Sequence, residues 1–356
     1  MKNAIKSLKF IYFLARYNQD NPPTKVQVNN DSYKGLDSNK IPLKILIRNN
    51  KKDQNSIIIF PGGSADGEKH AGLLFLASII CKLGYKVFIP RIPPLKELNL
   101  NRECFDWFAH AYSEIINRDD ILKHKVSTIA VSFGGGLLLK ASFDSRISKN
   151  PPKSIMTFGT YYDIQSTLNF LCNGQINLDN KSYSIKPHSW GLTVLFHNFL
   201  DKFNFEEIKD YKMQIREIIN LRIQDRLEEV KNKISKLPDL PGIFIQNIFD
   251  SKINKKIENE INRVINEEKE FFRLMSPKYW GKEINNKVFI MHGSNDSMIP
   301  FTESINLHKC IENSSLFISY MYEHTEISTN KGLIFKIKEF YKMYQFFKEY
   351  FRYNES

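Results

Sequence analysis

Cysteine is scarce in this chain: Cys81, Cys104, Cys172 and Cys310 lie far apart among apolar neighbours. They form no CxxC pair, so neither a zinc site nor a disulfide framework is indicated, and ordinary buried thiols in a reducing compartment are expected. His, Asp and Glu nowhere cluster at metal-ligand spacing, and there is no dinucleotide fingerprint or phosphate loop; no metal and no cofactor is expected. Long hydrophobic runs are missing too. Phe10–Ala15 falls far short of the ~20 residues a membrane-crossing helix needs, and no small-residue cleavage site follows it. Acidic residues number 39 against 51 Lys and Arg, a net charge of +12. The lysines are dispersed, with no dense basic block or recognition motif, so no nucleic-acid partner is expected.

What is present is ample material for a core: 42% hydrophobic and 13% aromatic residues in 356. That suits one large domain, or a core carrying an insertion. Residues 1–24 read as a basic amphipathic helix and linker. Met1–Tyr17 holds Lys2, Lys6, Lys9 and Arg16 and no acid, and Asn21-Pro22-Pro23 ends it. Two readings stay open for this helix, lying on an anionic membrane surface or packing on the core. From Lys25 the chain alternates. Lys25–Asn30, Ile41–Arg48, Ser56–Phe60, Tyr85–Pro90, Lys125–Val131 and Ser154–Phe158 read as strands, with helices over Glu68–Leu83, Arg102–Asn117 and Leu137–Ala141. Alternation of this kind predicts an α/β fold, a doubly wound, mostly parallel sheet with helices on both faces. Ligands then sit outside the carboxyl ends of the strands.

Across 161–283 the alternation stops. Thr167–Leu171, Leu192–Phe203, Asn204–Lys236 and Ser251–Leu274 read as helices, the last two separated by Leu237-Pro238-Asp239-Leu240-Pro241-Gly242. This is a helical insertion, and a lid over the strand ends is its natural place. The core, 25–160, resumes over 284–356 with strands Lys287–His292 and Leu316–Met321 and helices Thr302–Glu312 and Lys331–Tyr353.

Three stretches carry chemistry. Ala130-Val131-Ser132-Phe133-Gly134 places a serine between strand and helix with small residues two positions to either side, the pattern of a nucleophile elbow. Pro61-Gly62-Gly63 follows the central strand. Asp296 lies in Gly293-Ser294-Asn295-Asp296-Ser297-Met298-Ile299-Pro300, and His324 follows the last strand. On these residues the chain resembles the α/β-hydrolase fold superfamily, over nearly all of its length beyond residue 25. Two positions depart from the usual pattern, Ala130 for glycine and Pro61 for histidine. The resemblance implies Ser132 as nucleophile, Asp296 as acid and His324 as base, in the family's order. It also implies that the backbone N–H groups of Gly63 and Phe133 form the oxyanion hole.

The expected function is that of a serine hydrolase cleaving a carboxylic ester, with a hydrophobic acyl group suited to the apolar insertion. A serine hydroxyl needs a base to take its proton, and a carboxylate fixes that base's tautomer. The expected partner is a small or lipid-like ester substrate, and the expected location is the cytoplasm, peripheral at the membrane's inner face if the first helix binds lipid. An inactive membrane-surface or partner-binding protein, an acyltransferase and a serine peptidase remain as alternatives.

Overall fold

A computed structural model describes residues 2–48, 54–179, 181–320 and 332–356. Helix α1 (Lys2–Arg16) leads into β1 (Gln27–Lys34), β2 (Lys40–Ile47) and β3 (Ser56–Phe60). Then come α2 (Ala71–Lys82), β4 (Lys86–Pro90), the single turn α3 (Pro93–Lys96), α4 (Glu103–Ile116), β5 (Val126–Val131), α5 (Phe133–Ala141), the short α6 (Ser145–Ser148) and β6 (Ile155–Phe158). The strand order in the sheet is β1-β2-β4-β3-β5-β6, continued by two later strands, β9 (Val288–Gly293) and β10 (Ser314–Ser319). β1 and β2 pair antiparallel at one edge, and every pairing from β4 to β10 is parallel. β3 is buried along its whole length, as a parallel strand covered on both faces must be.

One face of the sheet packs on α4 and α5, where Phe60 stacks on Phe108 at 4.8 Å between ring centroids. The other packs on α1, α2 and the last helix, α15 (Leu333–Glu355). Of the two readings open for the first helix, packing on the core is realised by one face. Phe10 meets Phe347 at 4.3 Å, Ser7 donates to the Tyr344 carbonyl at 2.9 Å and Lys6 pairs with Glu355. Its opposite face leaves Ile5, Leu8 and Tyr12 45–54% exposed.

Between β6 and β9 the chain forms α7 (Ile164–Asn173), a hairpin of β7 (Gln175–Leu178) and β8 (Lys181–Ser184), and α8 (Trp190–Phe199). These are followed by α9 (Lys212–Ile223), α10 (Leu227–Ile234), α11 (Asp239–Phe249), α12 (Lys255–Glu267) and α13 (Lys269–Met275). Several details differ from the sequence reading, among them the helix read over Ser251–Leu274, which divides at Glu268 into α12 and α13. The hairpin was not anticipated. Asn204–Lys236 is broken at Asp225, whose φ of 58° is left-handed, so that α9 and α10 are separate. Leu237–Gly242 is mostly the first turn of α11: Pro238 caps it, and Pro241 falls where the missing N–H has no intrahelical partner to lose. Pro93 and Pro94 open α3, which the sequence reading did not include, for the same reason.

After β9, α14 (Thr302–Cys310) precedes β10. Its Glu303 is buried and accepts from the Tyr162 and Asp163 amides at 2.9 and 2.7 Å and from the Ser166 hydroxyl at 2.6 Å. This carboxylate fixes the N-terminus of α7, where orphan amides need an acceptor, and so anchors the start of the helical segment to the core.

Candidate active site

Register brings Ser132, the Pro61–Gly63 loop and the Asp296 loop to one edge. Phe60 pairs with Ala130, Val131 with Phe158, Phe158 with Met291, and Gly293 with Ser319. The residues that follow, Pro61, Ser132, Gly159 and the loop to Asp296, therefore emerge side by side at the carboxyl ends of the strands.

Ser132 sits between β5 and α5 with φ 54° and ψ −130°. That conformation is strained for a side-chain-bearing residue and costs about 1–3 kcal/mol. Its surroundings hold it there. The Ser132 amide donates to the Phe158 carbonyl at 2.6 Å, and its own carbonyl accepts from Gly135 N and Thr160 Oγ1, both at 3.0 Å. The glycine triplet is a consequence of close approach. A Cβ on Gly134 would lie 2.1 Å from the Pro61 carbonyl oxygen, and one on Gly135 would lie 1.9 Å from Thr160 Oγ1. Ala130, where the usual pattern has glycine, is fully buried.

The Pro61–Gly63 loop presses on this elbow: a Cβ on Gly62 would come 3.1 Å from Ser132 Cβ. Gly63 and Phe133 line the same cavity as Ser132. Among the described residues, neither of their amides has a backbone or side-chain acceptor.

Asp296 follows β9. Its Oδ1 accepts from the Met298 and Ile299 amides at 2.7 and 3.0 Å, and its Oδ2 lies 3.5 Å from His292 Nε2. A Cβ on Gly159 would stand 3.3 Å from that same Oδ2, so the absence of a side chain there leaves the carboxylate its place. Burial pushes the carboxyl group up, but the His292 ring and the two amides outweigh it and hold the group below its ordinary value. His292 is fully buried between Ser304 Oγ at 2.7 Å and the Ile299 carbonyl at 2.9 Å. It braces the acid loop from beneath. His324 lies outside the described residues. The chain leaves β10 at Ser319, beside Gly293.

Ser132 opens into a cavity of about 110 Å³. Leu168 and Leu171 of α7, Val194 and Phe199 of α8, and Phe271 and Phe272 of α13 wall it, with Met298 and Ile299 from the acid loop. Among the described residues lining it there is no Asp, Glu, Lys, Arg or His. The sequence predicts a helix over most of α13, within Ser251–Leu274, but does not place it on the cavity, nor does it point to the Met298–Ile299 wall or to Thr160, the hydroxyl that holds the Ser132 carbonyl. Thr160 follows β6 at the edge where Ser132 follows β5, which is the signal that was there to use.

No family model matches the chain, and no curated protein matches it. Solved structures do. An acylaminoacyl peptidase in complex with Z-Gly-Gly-Phe-chloromethyl ketone aligns at a TM-score of 0.50 with 11% identity, over 92% of this chain and 42% of that one. An esterase from Exiguobacterium antarcticum aligns at 0.43 with 14% identity over 90% and 100% of the two chains. An alpha/beta hydrolase superfamily protein from Enterococcus faecalis aligns at 0.46 with 14% identity over 91% and 99%. The chain spans about two fifths of the peptidase's length. This protein has the α/β-hydrolase fold, as its sheet order and its strand-end loops already indicate.

Proposed function

We propose that the chain is a serine hydrolase that cleaves a carboxylic ester with a hydrophobic acyl group. One observation carries the reading: a serine strained into the elbow conformation opens into an apolar cavity that has no charged residue among its described lining. Ser132 Oγ attacks the ester carbonyl while its proton passes to His324. The oxyanion that forms is taken up by the amides of Gly63 and Phe133. The imidazolium then returns the proton to the departing alcohol, and water, deprotonated by the same base, releases the acid from the acyl-enzyme. Asp296 holds the imidazole tautomer. The helices between β6 and β9 serve as the lid, with α7, α8 and α13 shaping the acyl pocket.

A peptide substrate would bring amide N–H and carbonyl groups into this cavity. Besides Ser132, only Tyr161 and Thr167 offer side-chain hydroxyls among its described lining, and burying unpaired amides costs several kcal/mol. That favours an ester over a peptide. The test is a fluorophosphonate probe on the intact chain, with mass spectrometry to place the adduct, alongside p-nitrophenyl esters of increasing length. Labelling of Ser132 is expected, with kcat/KM rising about fourfold per added methylene until the pocket is full, from ~0.8 kcal/mol per buried CH₂. A folded protein that neither labels nor hydrolyses any of the esters would sink the reading.

A second role rests on α1. Its outward face presents Ile5, Leu8 and Tyr12, and Lys2, Lys9 and Arg16 belong to the same acid-free helix. No helix of the described residues is long and apolar enough to cross a membrane. The outward face suits shallow contact with an anionic lipid surface, which would bring a lipophilic ester to the enzyme. Replacing Ile5, Leu8 and Tyr12 together by serine is expected to lower flotation on phosphatidylserine-containing vesicles at least about tenfold. Equal flotation of the two proteins would count against this role.

A further inference from the structure

We propose that Trp190 is a positioning residue. Its indole fixes the Gly63 end of the oxyanion loop, tying the helix that walls the acyl pocket to the group that stabilises the transition state. The proposal rests on the hydrolase reading above.

Pro61-Gly62-Gly63 has no polar side chain with which to hold itself. Pro61 and Gly62 are fixed sterically, against Gly134 and Ser132. Gly63 is not: a Cβ there would meet only Leu98 Cδ2, at 3.6 Å. Its carbonyl instead accepts a hydrogen bond from Trp190 Nε1 at 3.1 Å. A glycine whose carbonyl is held cannot swing freely about its own Cα, so the bond limits where the Gly63 amide points. Oxyanion donors act through such pre-set aim, because reorganising at the moment of reaction would forfeit most of their effect.

Trp190 can hold because its helix is itself held at both ends. Ahead of α8, the His188 amide donates to the Ser297 carbonyl at 2.9 Å, one residue beyond Asp296. Near its far end, Asn198 Nδ2 donates to the Leu98 carbonyl and Asn198 Oδ1 accepts from the Leu100 amide, each at 2.8 Å. The segment from His188 to Asn198 thus spans the acid loop, the oxyanion loop and the loop between α3 and α4. Trp190 itself, Val194 and Phe199 face the cavity from the same helix. An acyl chain seated against α8 therefore acts on the oxyanion loop through the indole.

The experiment compares the intact protein with Trp190→Phe, and with Trp190→Tyr as a second variant should the first fold poorly. Steady-state hydrolysis and backbone hydrogen exchange of the 61–67 segment are both read. Expected are a kcat about tenfold lower, KM within about twofold, and exchange in 61–67 about fivefold faster, the scale of one net hydrogen bond. Unchanged exchange overturns the proposal. So does a raised KM with kcat intact, which would make Trp190 a pocket wall and no more. If the unaltered protein neither labels nor turns over ester, the hydrolase reading fails by itself, and the exchange comparison still decides whether the indole holds the loop.

Discussion

Ser132→Ala is expected to abolish fluorophosphonate labelling and to lower kcat by ~10⁵-fold or more, since losing the nucleophile removes the covalent route and leaves only binding and the oxyanion hole. The fold should survive, because the Ser132 hydroxyl makes no hydrogen bond among the described residues while its backbone groups are fully engaged. Ser132→Gly separates chemistry from strain. Alanine must still adopt φ 54° and ψ −130°, whereas glycine reaches that region at little steric cost. The glycine variant should therefore be about as inactive as the alanine variant yet more stable than it, by about 1 kcal/mol or more in urea unfolding. An active alanine variant would remove Ser132 from the chemistry. Equal stability of the two variants would show that the elbow is not strained.

How much of this could be read from sequence depended on whether a residue's neighbours were near in the chain. The elbow was legible because its turn is local: a strand must pass into a helix within one residue, at Ser132 with φ 54°. The acid loop was legible for the same reason, its carboxylate folding back onto amides two and three residues ahead. The parallel order of the core followed from alternation alone. The helical segment was less legible. Hydrophobic period marks a helix but not a one-residue interruption such as Asp225. Pro238 and Pro241 read as breakers, although proline is tolerated before and within a first turn. Partners distant in sequence were invisible. The indole of Trp190 and the carbonyl of Gly63 are separated by 127 residues, and apolar content in the insertion says that some wall exists without saying which helices build it. His324 was placed by its position after the last strand, and it falls outside the described residues.

Asp296→Asn is expected to lower kcat by ~10³–10⁴-fold with KM little changed, because an amide cannot hold the base in its working tautomer or steady the imidazolium. The substitution should also be felt in stability. Oδ1 of an asparagine can still accept from Met298 and Ile299, but its NH₂ would face His292 Nε2, which already sits 2.9 Å from the Ile299 carbonyl. A donor would then face a donor in a buried site, a pairing that costs about 1–3 kcal/mol. The aspartate's share of stability depends on pH, with a fixed sign. Its folded-state pKa is depressed, so its stabilisation is complete above the unfolded carboxyl value, about 4, and is lost as pH falls through the lower folded value. The stability gap between the two proteins should accordingly be widest near neutrality and narrow on acidification. Denaturant unfolding at a series of pH values measures it, and a gap that widened toward acid would contradict the depressed carboxyl. A loss of kcat below about tenfold, in a protein still labelled at Ser132, would mean that another group orients the base. His292, held on both ring nitrogens by Ser304 and the Ile299 carbonyl, is fixed too firmly to move into that part.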